Sequence, residues 1–182
     1  MLSTRPGIGL ALAVALGACG GEAAEPNLPD PIYPALAGNY QILGDFDGIP
    51  DNIGWLDGTF SIQQPSRAQE TFGGNAHITV HLDGELFEFV YPLSSATVTT
   101  GGAVTFVMRE GPSNAWTFVS QLSGTSLAGN HTLIASGAIG ALTGSFSASR
   151  TGGSGSAGSL AVAPVDRTSP TLAALLERMR AP

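Results

Sequence analysis

His77-Ile78-Thr79-Val80-His81-Leu82-Asp83-Gly84-Glu85-Leu86-Phe87-Glu88 is the stretch whose pattern decides the fold. Ile78, Val80 and Leu82 alternate with His77, Thr79 and His81, and a period of two belongs to a strand with one dry face and one wet face. Asp83-Gly84 follows directly, a pair that readily takes the positive φ of a two-residue hairpin turn. If the chain reverses there, Glu88 pairs opposite Thr79.

The same alternation recurs on both sides. Phe60 and Ile62 alternate with Thr59, Ser61 and Gln63, and Leu142, Gly144, Phe146 and Ala148 alternate with Thr143, Ser145, Ser147 and Ser149. Gly101-Gly102 supplies a second two-residue turn, and Ser123-Gly124-Thr125 a slightly longer one. Residues 36–150 therefore read as one all-β domain of about eight short, locally joined strands. An antiparallel up-and-down barrel fits best, with a β-sandwich as the runner-up. Its dry face carries Tyr40, Phe60, Phe87, Phe89, Phe106, Trp116 and Phe118 among other apolar residues. In a barrel of this size these side chains either fill the interior or line a cavity for one small apolar ligand.

Outside the barrel the composition changes. Residues 1–18 carry one positive charge, Arg5, then an apolar run from Gly7 to Ala18. That run is too short for a membrane-spanning helix, which needs about 20 residues, and has the layout of an export signal. The segment 19–35 holds Pro26, Pro29, Pro31 and Pro34, so it reads as an extended tether reaching up to about 45 Å. Residues 151–182 begin with a Gly/Ser linker, after which Ser169-Pro170 caps a short helix bearing Leu172, Leu175, Leu176 and Met179 on one stripe. A helix so short does not persist alone in water, so it docks or frays.

Charge narrows the partners. The 182-residue chain has 14 acidic and 7 basic residues, and every basic residue is an arginine. An acidic chain without a basic run is a poor match for phosphate backbones, which argues against nucleic acid. The single cysteine, Cys19, has no internal partner for a disulfide.

Leu16-Gly17-Ala18-Cys19 resembles the lipobox of bacterial lipoprotein precursors. The resemblance implies cleavage between Ala18 and Cys19, a diacylglyceryl group on the Cys19 thiol, and a covalent lipid anchor in the bacterial cell envelope. Each buried CH₂ contributes about 0.8 kcal/mol, and two or more chains hold stably. Gly20, where inner-membrane members carry aspartate, implies the outer membrane. Farther along, Gly38-Asn39-Tyr40 resembles the Gly-x-Trp that opens the first strand of lipocalin and calycin barrels, with tyrosine for tryptophan. Arg150 then corresponds to the arginine that these barrels set against that aromatic ring. The ending Gly-Ser-Phe-Ser-Ala-Ser-Arg at 144–150 is also similar to that of some short bacterial lipoproteins.

Chemistry-bearing motifs are sparse. Asp45-Phe46-Asp47-Gly48-Ile49-Pro50-Asp51-Asn52 resembles calcium loops of the thrombospondin type 3 and EF-hand kinds, with Asp45, Asp47 and Asp51 as the candidate ligands. Aligned on Gly48, however, the loop has Leu43 and Gly54 where its first and last ligands belong, so a polar turn is the other reading. His77 and His81 share a strand face about 13 Å apart, too far for one zinc ion, and form a polar patch with Glu88 between them. His131 has no partner identifiable by spacing. Glu85 and Glu88 point to opposite faces of one strand, so they make no catalytic dyad. No serine lies in a nucleophile elbow.

The sequence thus leads to the expectation of a lipid-anchored, non-catalytic envelope protein, without a resident cofactor unless calcium. Its barrel would bind a small apolar ligand or a protein partner. A hydrolase with a loop-borne site and a calcium-stabilised adhesion module are the alternatives.

Overall fold

A computed structural model describes residues 31–136, 140–151 and 170–180. Eight strands follow one another: β1 (Gly38–Asp45), β2 (Gly54–Gln63), β3 (Gly73–Leu82), β4 (Glu85–Val98), β5 (Ala103–Glu110), β6 (Asn114–Ser123), β7 (Ser126–Ile134) and β8 (Leu142–Thr151). Each pairs antiparallel with its successor, and β8 returns to β1, giving a closed up-and-down barrel. The sandwich is excluded, because a sandwich leaves sheet edges and this sheet has none.

Local rules account for the turns. Asp83 and Gly84 both have positive φ, 50° and 81°, the combination a type I′ hairpin requires. It sets Thr79 opposite Glu88, as the spacing predicts. β4 is the longest strand at 14 residues, and its register against β5 shifts between Ser94 and Thr97. Ser95, at φ 47°, is the turned residue in that shift, an extra residue that bends the wall in the manner of a β-bulge.

The alternation sorts the barrel into an apolar inside and a polar outside. Tyr40, Phe60, Phe89, Phe106, Trp116 and Phe118 are all buried in the interior, whereas Gln41, Glu88, Gln121, Asn130 and Ser147 face out and are exposed. That is the reverse of a barrel wall that meets lipid. Among the described residues no helix is long and apolar enough to cross a membrane.

Both ends of the barrel carry covering side chains. Where β1 begins, Leu36 is fully buried, and the Arg150 guanidinium reaches the Tyr40 hydroxyl at 2.7 Å. Its central carbon lies 5.3 Å from the ring centroid. The lipocalin resemblance implied an arginine set against this ring, and the guanidinium lies over the ring while also donating to the phenol oxygen.

At the other end sits α1 (Leu172–Arg180), whose Leu172, Leu175 and Leu176 are buried. Full burial of a leucine is worth about 1.5–3 kcal/mol, enough to order a helix too short to stand alone. Its N-terminal cap is Thr171, whose Oγ1 accepts the Ala174 N–H at 3.0 Å. The helix therefore starts later than a Ser169-Pro170 cap would place it. Glu110 adds a second cap by accepting the Leu172 N–H at 3.0 Å. The Gly/Ser linker, Ser169 and residues 1–30 lie outside the described residues.

Candidate functional site

Of the seven candidate lining residues, five have rings that meet one another inside the barrel. Phe60 lies edge-on to Phe106 with centroids 4.9 Å apart, and Phe106 stacks on Phe118 at 5.1 Å. Phe118 meets Trp116 at 5.5 Å, and Trp116 meets Phe89 at 6.0 Å. Such pairs add about 0.5–1.5 kcal/mol each beyond area burial. Tyr40 joins this core by its position beside Arg150. Phe87 is only partly buried and packs against the core from its margin.

His131 sits inside this aromatic cluster at 1% exposure. Its Nδ1 is 3.2 Å from the Trp116 indole nitrogen, which is only a donor, so Nδ1 accepts. Nε2 therefore carries the proton and donates to the Asp45 carbonyl at 2.8 Å. Burial pushes the His131 pKa down, against a smaller opposing pull from Asp45. A close approach makes room for the ring: a Cβ on Gly144 would lie 2.7 Å from Nε2. The partners of His131 are 15 and 86 residues away, beyond the reach of a spacing argument.

Asp45 ties the inside to the outside. While its carbonyl accepts from the core, its carboxylate accepts the Ser145 N–H at 2.8 Å and the Ser145 hydroxyl at 2.7 Å on the outer wall. Those two bonds hold its pKa below the ordinary carboxylate value. Asp47 similarly accepts the Thr143 hydroxyl. The calcium-like loop thus uses two of its three acids to fasten β1 to β8, and Asp51 stands apart and exposed. Among the described residues no three His, Cys, Asp or Glu side chains gather as a ligand set.

Beside this fastening the outer wall opens into a groove of about 530 Å³. Leu43 and Asp45 of β1, Trp55 of β2, and Ser145 and Ser147 of β8 line it, with Asp51 from the β1–β2 loop. Register explains the assembly: Asp45 stands opposite Trp55, and Leu43 opposite Ser147. On its other side Trp55 stands opposite His81, and the two rings stack 3.5 Å apart at 8°. His81 Nε2 in turn lies 3.4 Å from Asp57 Oδ2. The expected patch of His77, His81 and Glu88 is therefore not how His81 is engaged. Trp55 has one face covered by imidazole, and the face toward β1 belongs to the groove.

Of the groove-lining residues, Asp45 and Asp51 stood out in the calcium-like loop and Ser145, Phe146 and Ser147 in the ending at 144–150, whereas Leu43 and Trp55 belonged to no motif. A signal does exist in the pattern. Leu43 and Trp55 are apolar residues in the wet phase of their strands, next to the dry Ile42 and Leu56. Leu43 is 58% exposed as a result. The groove offers an indole face, an alkyl side chain, hydroxyls and carboxylates. Its one serine–carboxylate contact, Ser145 to Asp45, is part of the strand fastening, and the buried His131 ring lies on the other side of the wall.

No protein-family model, curated protein or solved structure matches the chain.

Proposed function

We propose that the protein is an acylated component of the bacterial cell envelope, anchored through Cys19, that carries no catalytic centre and binds a partner on the outer wall of its barrel. The observation that carries this reading is the placement of space. The barrel interior holds a buried core of the protein's own apolar side chains, while a cavity lies outside, against Trp55 and Leu43. An apolar ligand in the lumen would have to displace side chains packed at interior density. A ligand in the groove displaces only water.

The anchor reading rests on the resemblance of Leu16-Gly17-Ala18-Cys19 to a lipobox. The chain enters the barrel at the start of β1, whereas the groove lies at the opposite end, where β1 runs into its loop. A proline-rich tether of this length gives the groove reach away from the membrane.

Two measurements test the two halves. In the native host, Cys19→Ala is expected to abolish labelling by a radioactive fatty acid and to move the protein out of the membrane fraction; unchanged labelling would sink the anchor. A photo-crosslinking residue at Leu43 is expected to give a discrete adduct that the same residue at Val119, an exposed β6 position, does not. Equal adducts, or none from position 43, would sink the groove as the recognition surface.

A further inference from the structure

We infer that the groove is a receptor for a guanidinium group, presented as an arginine-bearing segment of a partner protein; this rests on the groove being the recognition surface. Charge gives the first argument. The charged groups that line the groove are Asp45 and Asp51, and Asp57 stands next to them opposite Leu43. No arginine lines the groove, and the chain has no lysine to reach into it. An anionic guest would meet carboxylates with no counter-charge, and a cationic one is drawn in by all of them.

Geometry gives the second. Trp55 is braced by His81 on one face at 3.5 Å, which fixes the indole and leaves its β1 face toward the groove. A fixed indole face attracts a cation through the ring quadrupole, most strongly among the aromatic side chains. Guanidinium is flat and weakly hydrated, so it stacks there while its edge donates to a carboxylate. Asp51 is exposed, and among the described residues none donates a hydrogen bond to it. Asp45 is largely spent on Ser145 and contributes field more than contact.

Size and surface give the third. A cavity of about 530 Å³ is far more than a bare guanidinium fills and suits a side chain with its flanking backbone. Leu43, 58% exposed, supplies an apolar wall for the alkyl stem, which long basic side chains lay against such surface. Ser147, outward on β8 and exposed, supplies a hydroxyl for the peptide backbone.

The experiment uses the full mature chain in a non-ionic polyoxyethylene detergent, with the Trp55 indole N–H followed by NMR and the buried Trp116 as internal reference. The probes are three blocked tripeptides, Gly-Arg-Gly, its citrulline counterpart and its glutamate counterpart. The arginine peptide is expected to shift the Trp55 signal saturably without moving Trp116. Citrulline, isosteric but neutral, is expected to bind at least about tenfold more weakly, and glutamate not to bind. Asp51→Asn should weaken the arginine peptide about fivefold, with an unchanged Trp116 signal showing that the barrel is intact. In Trp55→Ala and Trp55→Phe, which lack the reporter, the Leu43 backbone amide is followed instead, and binding should fall about fivefold in the first and less in the second. Raising salt from about 20 to about 300 mM should weaken it further.

Citrulline binding as well as arginine, or an arginine response indifferent to Asp51→Asn, overturns the guanidinium assignment. Both outcomes leave the groove itself in use. Failure of all three peptides to move Trp55 overturns the assignment as well, and the Leu43 crosslink then decides separately whether the groove recognises anything.

Discussion

Arg150 donates to the phenol oxygen of Tyr40 through Nη2 at 2.7 Å and Nε at 3.2 Å, joining the last strand to the first across 110 residues of sequence. Nη2 also reaches the Ala35 carbonyl at 2.6 Å, and the Tyr40 hydroxyl itself donates to the Leu36 carbonyl at 2.9 Å. The phenol is thus an acceptor twice and a donor once, in a buried position. Tyr40→Phe is expected to cost about 1–3 kcal/mol, because it strands the Leu36 carbonyl and the guanidinium together. Arg150→Lys should cost about 1 kcal/mol or more, since an ammonium cannot reproduce the fork. Urea unfolding of the mature chain checks both, and midpoints equal to the parent's would show the bracket to be idle.

Acid should loosen the same wall from two sides. His131 has a lowered pKa in the fold, so its contribution is complete above the unfolded value of 6.5 and is lost as pH falls toward the folded pKa. Asp45, also lowered, contributes above its ordinary value of 3.8 and is lost below it. The thermal midpoint is therefore expected to fall in two stages on acidification. In His131→Gln the first stage should disappear; its persistence would assign that stage to another group.

Glu110 is the hub on which α1 docks. It accepts from the Tyr91 hydroxyl at 3.1 Å, from the Asn114 amide at 2.9 Å and from the Leu172 N–H at 3.0 Å. Leu176→Ala is expected to cost about 2–4 kcal/mol at a fully buried site, and Leu175→Asp to release the helix and expose its seat to a hydrophobic dye. Burial and the Glu110 carboxylate push the Tyr91 pKa up, so the Tyr91 contribution is present below its ordinary value of 10.0 and fades at more alkaline pH. Dye binding that is the same in Leu175→Asp as in the parent would show that the helix does not cover the barrel end.

Metal should matter little to the Asp45–Asn52 loop. Asp45 and Asp47 already have hydroxyl and amide donors on β8, which a cation would have to displace. Excess chelator, followed by millimolar calcium, is expected to leave the thermal midpoint unchanged, whereas Asp45→Ala should lower stability by about 1–3 kcal/mol. A calcium-dependent rise in the midpoint would restore the loop to the role its resemblance implies.

The sequence by itself determined the sheet. Alternation such as Ile78-Val80-Leu82 dictates which face is dry, and Asp83-Gly84 dictates the turn, because both depend only on neighbours along the chain. Even the pairing of Thr79 with Glu88 was legible. Leu172, Leu175 and Leu176 also announced a short helix that would dock or fray, and the fold docks it. The tertiary structure decided everything that needed β8 to meet β1. Closure brings Ser145 to the Asp45 carboxylate across 100 residues, and with it the groove. It also decided which aromatic rings meet one another inside the barrel, since that depends on the width of the closed wall. The meaning of Trp55 changed most. In the sequence it is an apolar residue in the wrong phase of a strand; in the barrel it is a braced ring beside a groove in the wall, because His81 stands opposite it on β3 and Asp45 opposite it on β1.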